Sequence, residues 1–578
     1  MTRTDSFVVG TLVVMLAVLA GLVGVPALVP AASTTAAPSA TPGVALSRPY
    51  REGVLGRPVS VSPLSARTQA DRDLVALVYA GLVRNGPSGT LVPDLAERWT
   101  VDPTGVSWTF RLRDDAFWHD GEPVTADDVA YTIGVLQDPA YRGPGAGSWN
   151  GVRVQTDGDR MVTFTPATPL GGFLQAMTQP IAPAHLLAGV PVEELPDLPF
   201  GRQPIGAGPF AVASLTDDAA ELIPAVTLLP AEGPSSRPSP RATDSLATSP
   251  PLDRPTRPVP YLHGIEFQFF DDPAALAEAY RAGGLDAASG LSPTMNRELA
   301  STEGSRALRY PGSTLTAVLL NLRPGNPEFT NPAVRTALLA AIDRRALIDD
   351  AFAMAAGSAT GPIPPTSALF DPTADPPVPY DVEAAKAGLK AAGWTSATDG
   401  WHLPGATVPL TIELLSAEAA SNQAAFVAAE AVARDWRALG LIVVHVPLPP
   451  GEFVTGRLSA GDFSAAVGDV TVGLDPDLYP LLASSQTLTG GSNVIGLQDP
   501  ALDALLVAAR GPGTEAGRMA AYSTLQQQLA KGRYLLPLAF ADESIVVRDT
   551  VQGPVVRQVA DPAERFWDVL TWRLAAGR

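Results

Sequence analysis

Residues 107–136 narrow the choice of fold more than any other stretch. They read SWTFRLRDDAFWHDGEPVTADDVAYTIGVL. Trp108, Phe110 and Leu112 alternate with Thr109, Arg111 and Arg113, which makes the first part a strand with one apolar face. Asp114-Asp115 and Asp120-Gly121 are turn chemistry. Thr125 then stands as a helix N-cap, and Asp128, three residues on, completes an aspartate version of the capping box. Val129, Ile133 and Leu136 recur at helical spacing. A period of two that gives way to a period of 3.6 requires a fold in which strands pack against helices.

The same change of period recurs downstream. Residues 265–270 read as a strand, followed by a helix with Asp272 as its cap and Pro273 at its first position. Residues 315–322 are a buried-type strand. Asn331-Pro332 and Asp343 each open a helix, the second covering 344–352, and Asp381 opens another over 382–392. Residues 408–414 form a strand, 423–439 a helix that stops at Gly440, and 441–446 the strand after it. In the helix 423–439, Phe426, Ala429, Ala433 and Trp436 face inward. Nearer the start, 74–83 read as helix-like, and 151–166 as paired short strands about the Asp157-Gly158 turn. This alternation predicts mixed α/β layers with parallel strand pairing.

The two least globular stretches bound the folded part. Residues 7–28 form an almost unbroken apolar run after Arg3. The run is long enough for a membrane span of about 20 residues. Ala31-Ala32-Ser33 behind it is also a fit for signal cleavage, so residues 1–30 are a signal-anchor or a signal peptide, and the rest of the chain is exported. Residues 31–46, rich in Ala, Ser, Thr and Pro, form a flexible tether. Residues 230–258, dense in Pro, Ser, Thr and Arg, read as a disordered surface insertion.

Charge and composition exclude several functions. The 578-residue chain carries a formal net charge of −19 and has no basic stripe, which argues against nucleic-acid binding. It has no cysteine, so disulfides, thiolate metal sites, a cysteine nucleophile and a lipidated N-terminal cysteine are all ruled out. Its histidines, His119, His185, His263, His402 and His445, show no metal-ligand spacing, and no HExxH occurs. Each reads as a surface or turn residue, His445 on the outer face of a strand. No GxSxG or SxxK motif is present. The pairs Asp217-Asp218 and Asp349-Asp350 read as solvated turns or helix ends. QPIGAGPF at 203–210 lacks the Lys-Ser/Thr of a phosphate loop and reads as a structural turn. The sequence makes no catalytic case and calls for no metal or cofactor.

The stretch 107–136 and its prelude LVPDLAERWT at 91–100 resemble the segment shared by extracytoplasmic peptide- and nickel-binding proteins of ABC importers, solute-binding protein family 5. The positions that carry the likeness include Pro93, Leu95, Ala96, Trp99, Trp108 to Phe110, Leu112, Arg113, Trp118, Asp120, Gly121, Pro123 to Ala126, Asp128 and Val129. QPIGAGPF, VRTALLAAIDRRALI at 334–348 and YSTLQQQLAKGRYLLPLAF at 522–540 extend it from about Pro63 to the C-terminus. The aromatics of the opening stretch, Trp118 among them, are expected in the core.

The resemblance implies a two-lobed periplasmic-binding-protein-like fold of type II, the large class with an extra subdomain, and a ligand cleft between the lobes. The first lobe would comprise residues 47–87, the extra subdomain 88–200, then 201–310, and a C-terminal return 540–578. The second would be 311–539, with hinges near Tyr310-Pro311 and Ala539-Phe540. In peptide-binding members an Asp pairs with the ligand's α-amino group. At the matching segment this chain reads GDVTVGLDPDLY, with Asp469 in place of a Trp and Val472 in place of that Asp. Candidate ligand contacts are therefore Asp469, Val470, Thr471, Val472 and Asp475. Asp475 is also expected to cap a helix starting at Pro476. Pro63, Ser65, Thr316, Asn321 and Phe370 are added from matching family loop positions. The implied function is a monomeric, membrane-tethered receptor that takes a peptide or other small solute to ABC permease subunits. A membrane-anchored sensory or scaffold module of the same fold remains an alternative, as does an extracytoplasmic hydrolase.

Overall fold

The computed structural model describes residues 48–86, 90–102, 105–225, 260–487 and 491–575. The expected anchor, the tether and the insertion 230–258 lie outside them. Ser47–Leu574 is one compact unit.

The unit is built on one eleven-stranded mixed sheet. Two long antiparallel strands, Ser305–Leu320 and Leu535–Arg548, run through its middle. On one side lie Ala287–Ser289, Tyr50–Leu55, Ile265–Phe270, Ala219–Pro224 and Phe210–Leu215. On the other lie Ala465–Thr471, Thr411–Ala417 and Ile442–Leu448, and the eleventh strand, Ala356–Ser358, pairs with Leu535–Arg548 off this path. Parallel pairs occur on both sides, Tyr50–Leu55 with Ile265–Phe270 and Thr411–Ala417 with Ile442–Leu448. The central pair changes register between Pro311 and Leu315. There Pro311 lies opposite Asp542 and Leu315 opposite Phe540. A second shift follows between Thr316 and Ala317, so the two halves of the sheet are joined by two continuous strands with two irregularities.

Local sequence explains most helix starts. Asp272, Asn331, Asp343, Asp381 and Asn422 each accept backbone N–H bonds at the first turn. Gly440 ends Gln423–Leu439 in the left-handed region that favours glycine. Ala429, Ala433 and Trp436 are buried as the spacing predicts, whereas Phe426 is half-buried. Several boundaries differ from expectation: the strand expected at 315–322 is Ser305–Leu320, that at 408–414 is Thr411–Ala417, and the first helix is Gln69–Val78, not 74–83. Thr68 and Asp71 form a full capping box that sets its start. Its end is set by packing: a Cβ on Gly206 would lie 1.9 Å from the Val78 carbonyl oxygen. The glycines of QPIGAGPF therefore let the backbone close over this helix end.

A four-stranded sheet, Ala96–Val101, Trp108–Leu112, Met161–Thr165 and Arg153–Asp157, forms a separate layer. The strand of the opening stretch buries Trp108, Phe110 and Leu112. Trp149, Phe164 and Phe173 join them in an aromatic cluster with centroid spacings near 6 Å. Trp118 is fully buried and donates to Asp128 at 3.3 Å, while the same carboxylate accepts the Thr125 N–H at 2.8 Å.

The first strand, the first helix and the C-terminal segment meet at Arg565. Its guanidinium is buried and bonds Asp73 at 2.6 and 2.7 Å and Glu52 at 2.7 Å. Tyr50 donates to Glu52 and packs edge-on against Trp572. His445 is half-buried rather than on an outer face, because its Nε2 meets Ser416 Oγ at 2.9 Å. Asp217 and Asp218 are turn residues held by Arg202 and Arg57.

Candidate functional site

Between the layers lies a cleft of about 1080 Å³. That is at the large end for a small-molecule site, where volumes of about 300–1,000 Å³ are usual. Three groups of elements line it. One is the helix Gln69–Val78 with the C-terminal segment Pro562–Thr571 packed on it. The second is the edge of the four-stranded layer, through Trp149, Phe173, Gln175 and Gln179. The third, from the far half of the molecule, is the loop Gly473 to Tyr479 with Arg510, Arg518 and Tyr522.

The second and third groups touch. The Gly171 N–H donates to the Arg510 carbonyl at 2.9 Å. A Cβ on Gly172 would lie 2.3 Å from Asp475 Oδ2. Asp475 cannot easily yield, because both its oxygens are held by Arg518 at 2.8 and 2.9 Å. Asp475 therefore does not cap a helix, contrary to its expected role. The helix beside it is Tyr479–Leu482, and Asp477 accepts the Tyr479 N–H at 3.0 Å instead. The other oxygen of Asp477 takes Arg510 at 2.8 Å, and that guanidinium lies over the Tyr479 ring at 4.4 Å.

Of the residues singled out from sequence, Pro63 and Asp475 line the cleft. Thr316 and Asp469 meet each other away from it: Thr316 donates to Asp469 Oδ1 at 2.6 Å and Asn422 to Oδ2 at 2.7 Å. Val472 is buried in an apolar cluster with Leu315 and Leu478, and Val470 and Phe370 pack against that cluster. Thr471 meets Thr314 through their hydroxyls at 3.0 Å. Ser65 is buried on Ser60, and Asn321 holds a turn through the Gly461 and Phe463 carbonyls. His119, also away from the cleft, is buried with its Nε2 3.1 Å from the Gly208 carbonyl.

Sequence reasoning missed the cleft arginines. Arg72 pairs with Asp561 at 2.8 Å. Arg557 lies 5.2 Å from the centre of Trp567 and 3.9 Å from Glu564. Burial lowers the Arg557 pKa and raises that of Glu564. Arg84 lines the cleft with no hydrogen-bond or ion-pair partner among the described residues. No local motif marks these positions, since arginine on a helix or strand usually means a solvated face. Among the described residues no cluster of His, Asp or Glu could hold a metal ion.

The comparisons with known proteins fit this geometry. Residues 90–492 match the family model for bacterial extracellular solute-binding proteins, family 5. The chain is 27% identical to Protein XP55 of Streptomyces lividans over 87% of this chain and 85% of that one. It is 24% identical to the dipeptide-binding protein of Pseudomonas aeruginosa over 86% of this chain and 90% of that one. Its fold matches the oligopeptide-binding protein AppA of Bacillus subtilis, solved with a nonapeptide, with a TM-score of 0.68 at 20% identity. That match covers 92% of this chain and all of AppA.

The fold is that of a two-lobed periplasmic-type binding protein. The chain belongs to the bacterial extracellular solute-binding proteins of family 5, which serve ABC transporters and are not enzymes. Among the described residues no helix is long and apolar enough to cross a membrane.

Proposed function

We propose that this chain captures a peptide or a similar small solute in the cleft and hands it to an ABC permease at the outer face of the membrane. The observation that carries the reading is the meeting of Gly171-Gly172 with Asp475 and Arg510 across the cleft, in a molecule whose halves are joined, among the described residues, by two continuous strands. Two crossing strands with a register break near Pro311 make a hinge, and the glycine contact makes a stop for closure. On this reading the lobes are residues 47–310 with 540–578, and 311–539. The relatives named for dipeptide and oligopeptide binding support peptide-like ligands. Residues 7–28 would keep the receptor at the membrane.

Native mass spectrometry of the full-length chain in mild detergent, followed by denaturation and identification of what is released, tests this. A mixture of short peptides is the expected result. A chain that carries nothing, and gains no mass from a panel of di- to nonapeptides, would contradict it and favour the sensory or scaffold role.

A further inference from the structure

The cleft's charged groups are not evenly satisfied. Its acids all have partners: Asp475 on Arg518, Asp477 on Arg510 and the Tyr479 N–H, Asp561 on Arg72, and Glu564 on the Ala560 N–H. Asp94, the remaining acid in the lining, is also engaged. The cations are not all matched. Arg84, on the short strand Val83–Asn85, is half-buried and has no partner among the described residues. The chain holds only three lysines, so the choice of arginine says little. What the arginines bond to is the informative part. The unspent capacity of the cleft is donor capacity with positive charge, inside a molecule whose net charge is −19.

An ammonium group would find no uncompensated carboxylate here, and leaving a buried charge unpaired is costly. An oxyanion would find a guanidinium fork with all its N–H groups free.

We propose that the solute bears a carboxylate or phosphoryl group, that Arg84 binds this group, and that no α-amino group is required. This rests on the proposed function for the site it uses, but it separates from the peptide assignment. Arg84 would act as a ligand-specificity residue: its charge attracts the anion, and its planar fork fixes the orientation of the bound oxygens.

The test is calorimetric titration of the full-length protein in mild detergent with trialanine, N-acetyl-trialanine, trialanine amide, citrate and glucose 6-phosphate. Acetylation should leave affinity within about threefold, whereas amidation should lower it by at least about tenfold, the loss expected for one charge-assisted hydrogen-bond pair. Arg84→Gln should remove the difference between acid and amide, and Arg84→Lys should restore part of it. If the peptides fail and citrate or glucose 6-phosphate binds in an Arg84-dependent way, the inference stands and the peptide reading falls. If acid and amide bind equally, or acetylation costs more than amidation, the inference falls while the peptide reading stands. If nothing in the panel binds, both fall.

Discussion

Arg565 shows how much of this fold rests on single side chains. Glu52 and Asp73 are fully buried and have the Arg565 guanidinium between them, so its loss would strand two carboxylates in the core. Removing one partner of such a buried network costs about 3–5 kcal/mol. Arg565→Met is therefore expected to lower the denaturation midpoint sharply, as read by urea unfolding followed by circular dichroism. Glu543, opposite Tyr310 on the central pair, acts in the other direction. Burial, aided by nearby Asp561, pushes its pKa up to about 7, and Arg565 and Arg72 offset only part of that. A raised carboxyl pKa means the folded state holds the proton more tightly. Stability then falls as pH rises from about 4.5 through 7, by an amount of order 1–3 kcal/mol. Glu543→Gln is expected to flatten that slope and to raise the melting temperature at pH 8. An unchanged pH profile in the variant would show that Glu543 is not the group responsible.

At the scale of elements, the contact between Gly172 and Asp475 is the most exposed to test. The helix Phe173–Ala176 begins immediately after Gly172, and Arg518 on the helix Glu515–Gly532 pins the carboxylate it abuts. Gly172→Val would force these elements apart. We expect ligand affinity to fall by at least about tenfold, since closure would lose its packed stop. Titration calorimetry reads this directly, and an affinity equal to wild type would remove the contact from the account. The elements themselves were largely legible in the sequence. Asp, Asn and Thr caps marked helix starts, and alternation marked the strand Trp108–Leu112, because these signals are local. The helix Gln69–Val78 was shifted because its apolar run continues to Val83. What stops it is contact with Gly206 and Gly208, more than 120 residues away. Asp475 was misread for a similar reason: Asp-Pro suits a helix start, yet the carboxylate is taken by Arg518 from a later helix.

At the scale of the whole molecule, the two-lobed α/β fold was legible through family motifs that span most of the chain. The cleft was not. It is assembled from Arg72, Arg84, the loop at Gly473, Arg510, Arg518 and Arg557, which come from four well-separated stretches of the chain. None carries a motif, and which guanidinium finds a carboxylate is decided only by packing. The candidates drawn from the GDVTVGLDPDLY segment fell mostly on a strand whose side chains serve the core or a polar pair with Asn422. The central claim is that the two halves close on a solute. The absence of native cysteine makes this directly measurable. Gln155→Cys and Lys390→Cys, both at exposed positions on opposite halves, can be spin-labelled and their separation read by pulsed electron resonance. A broad or long distance distribution is expected in protein stripped of ligand, and a shorter, narrower one when ligand is added. A single distance that ligand leaves unchanged would contradict it.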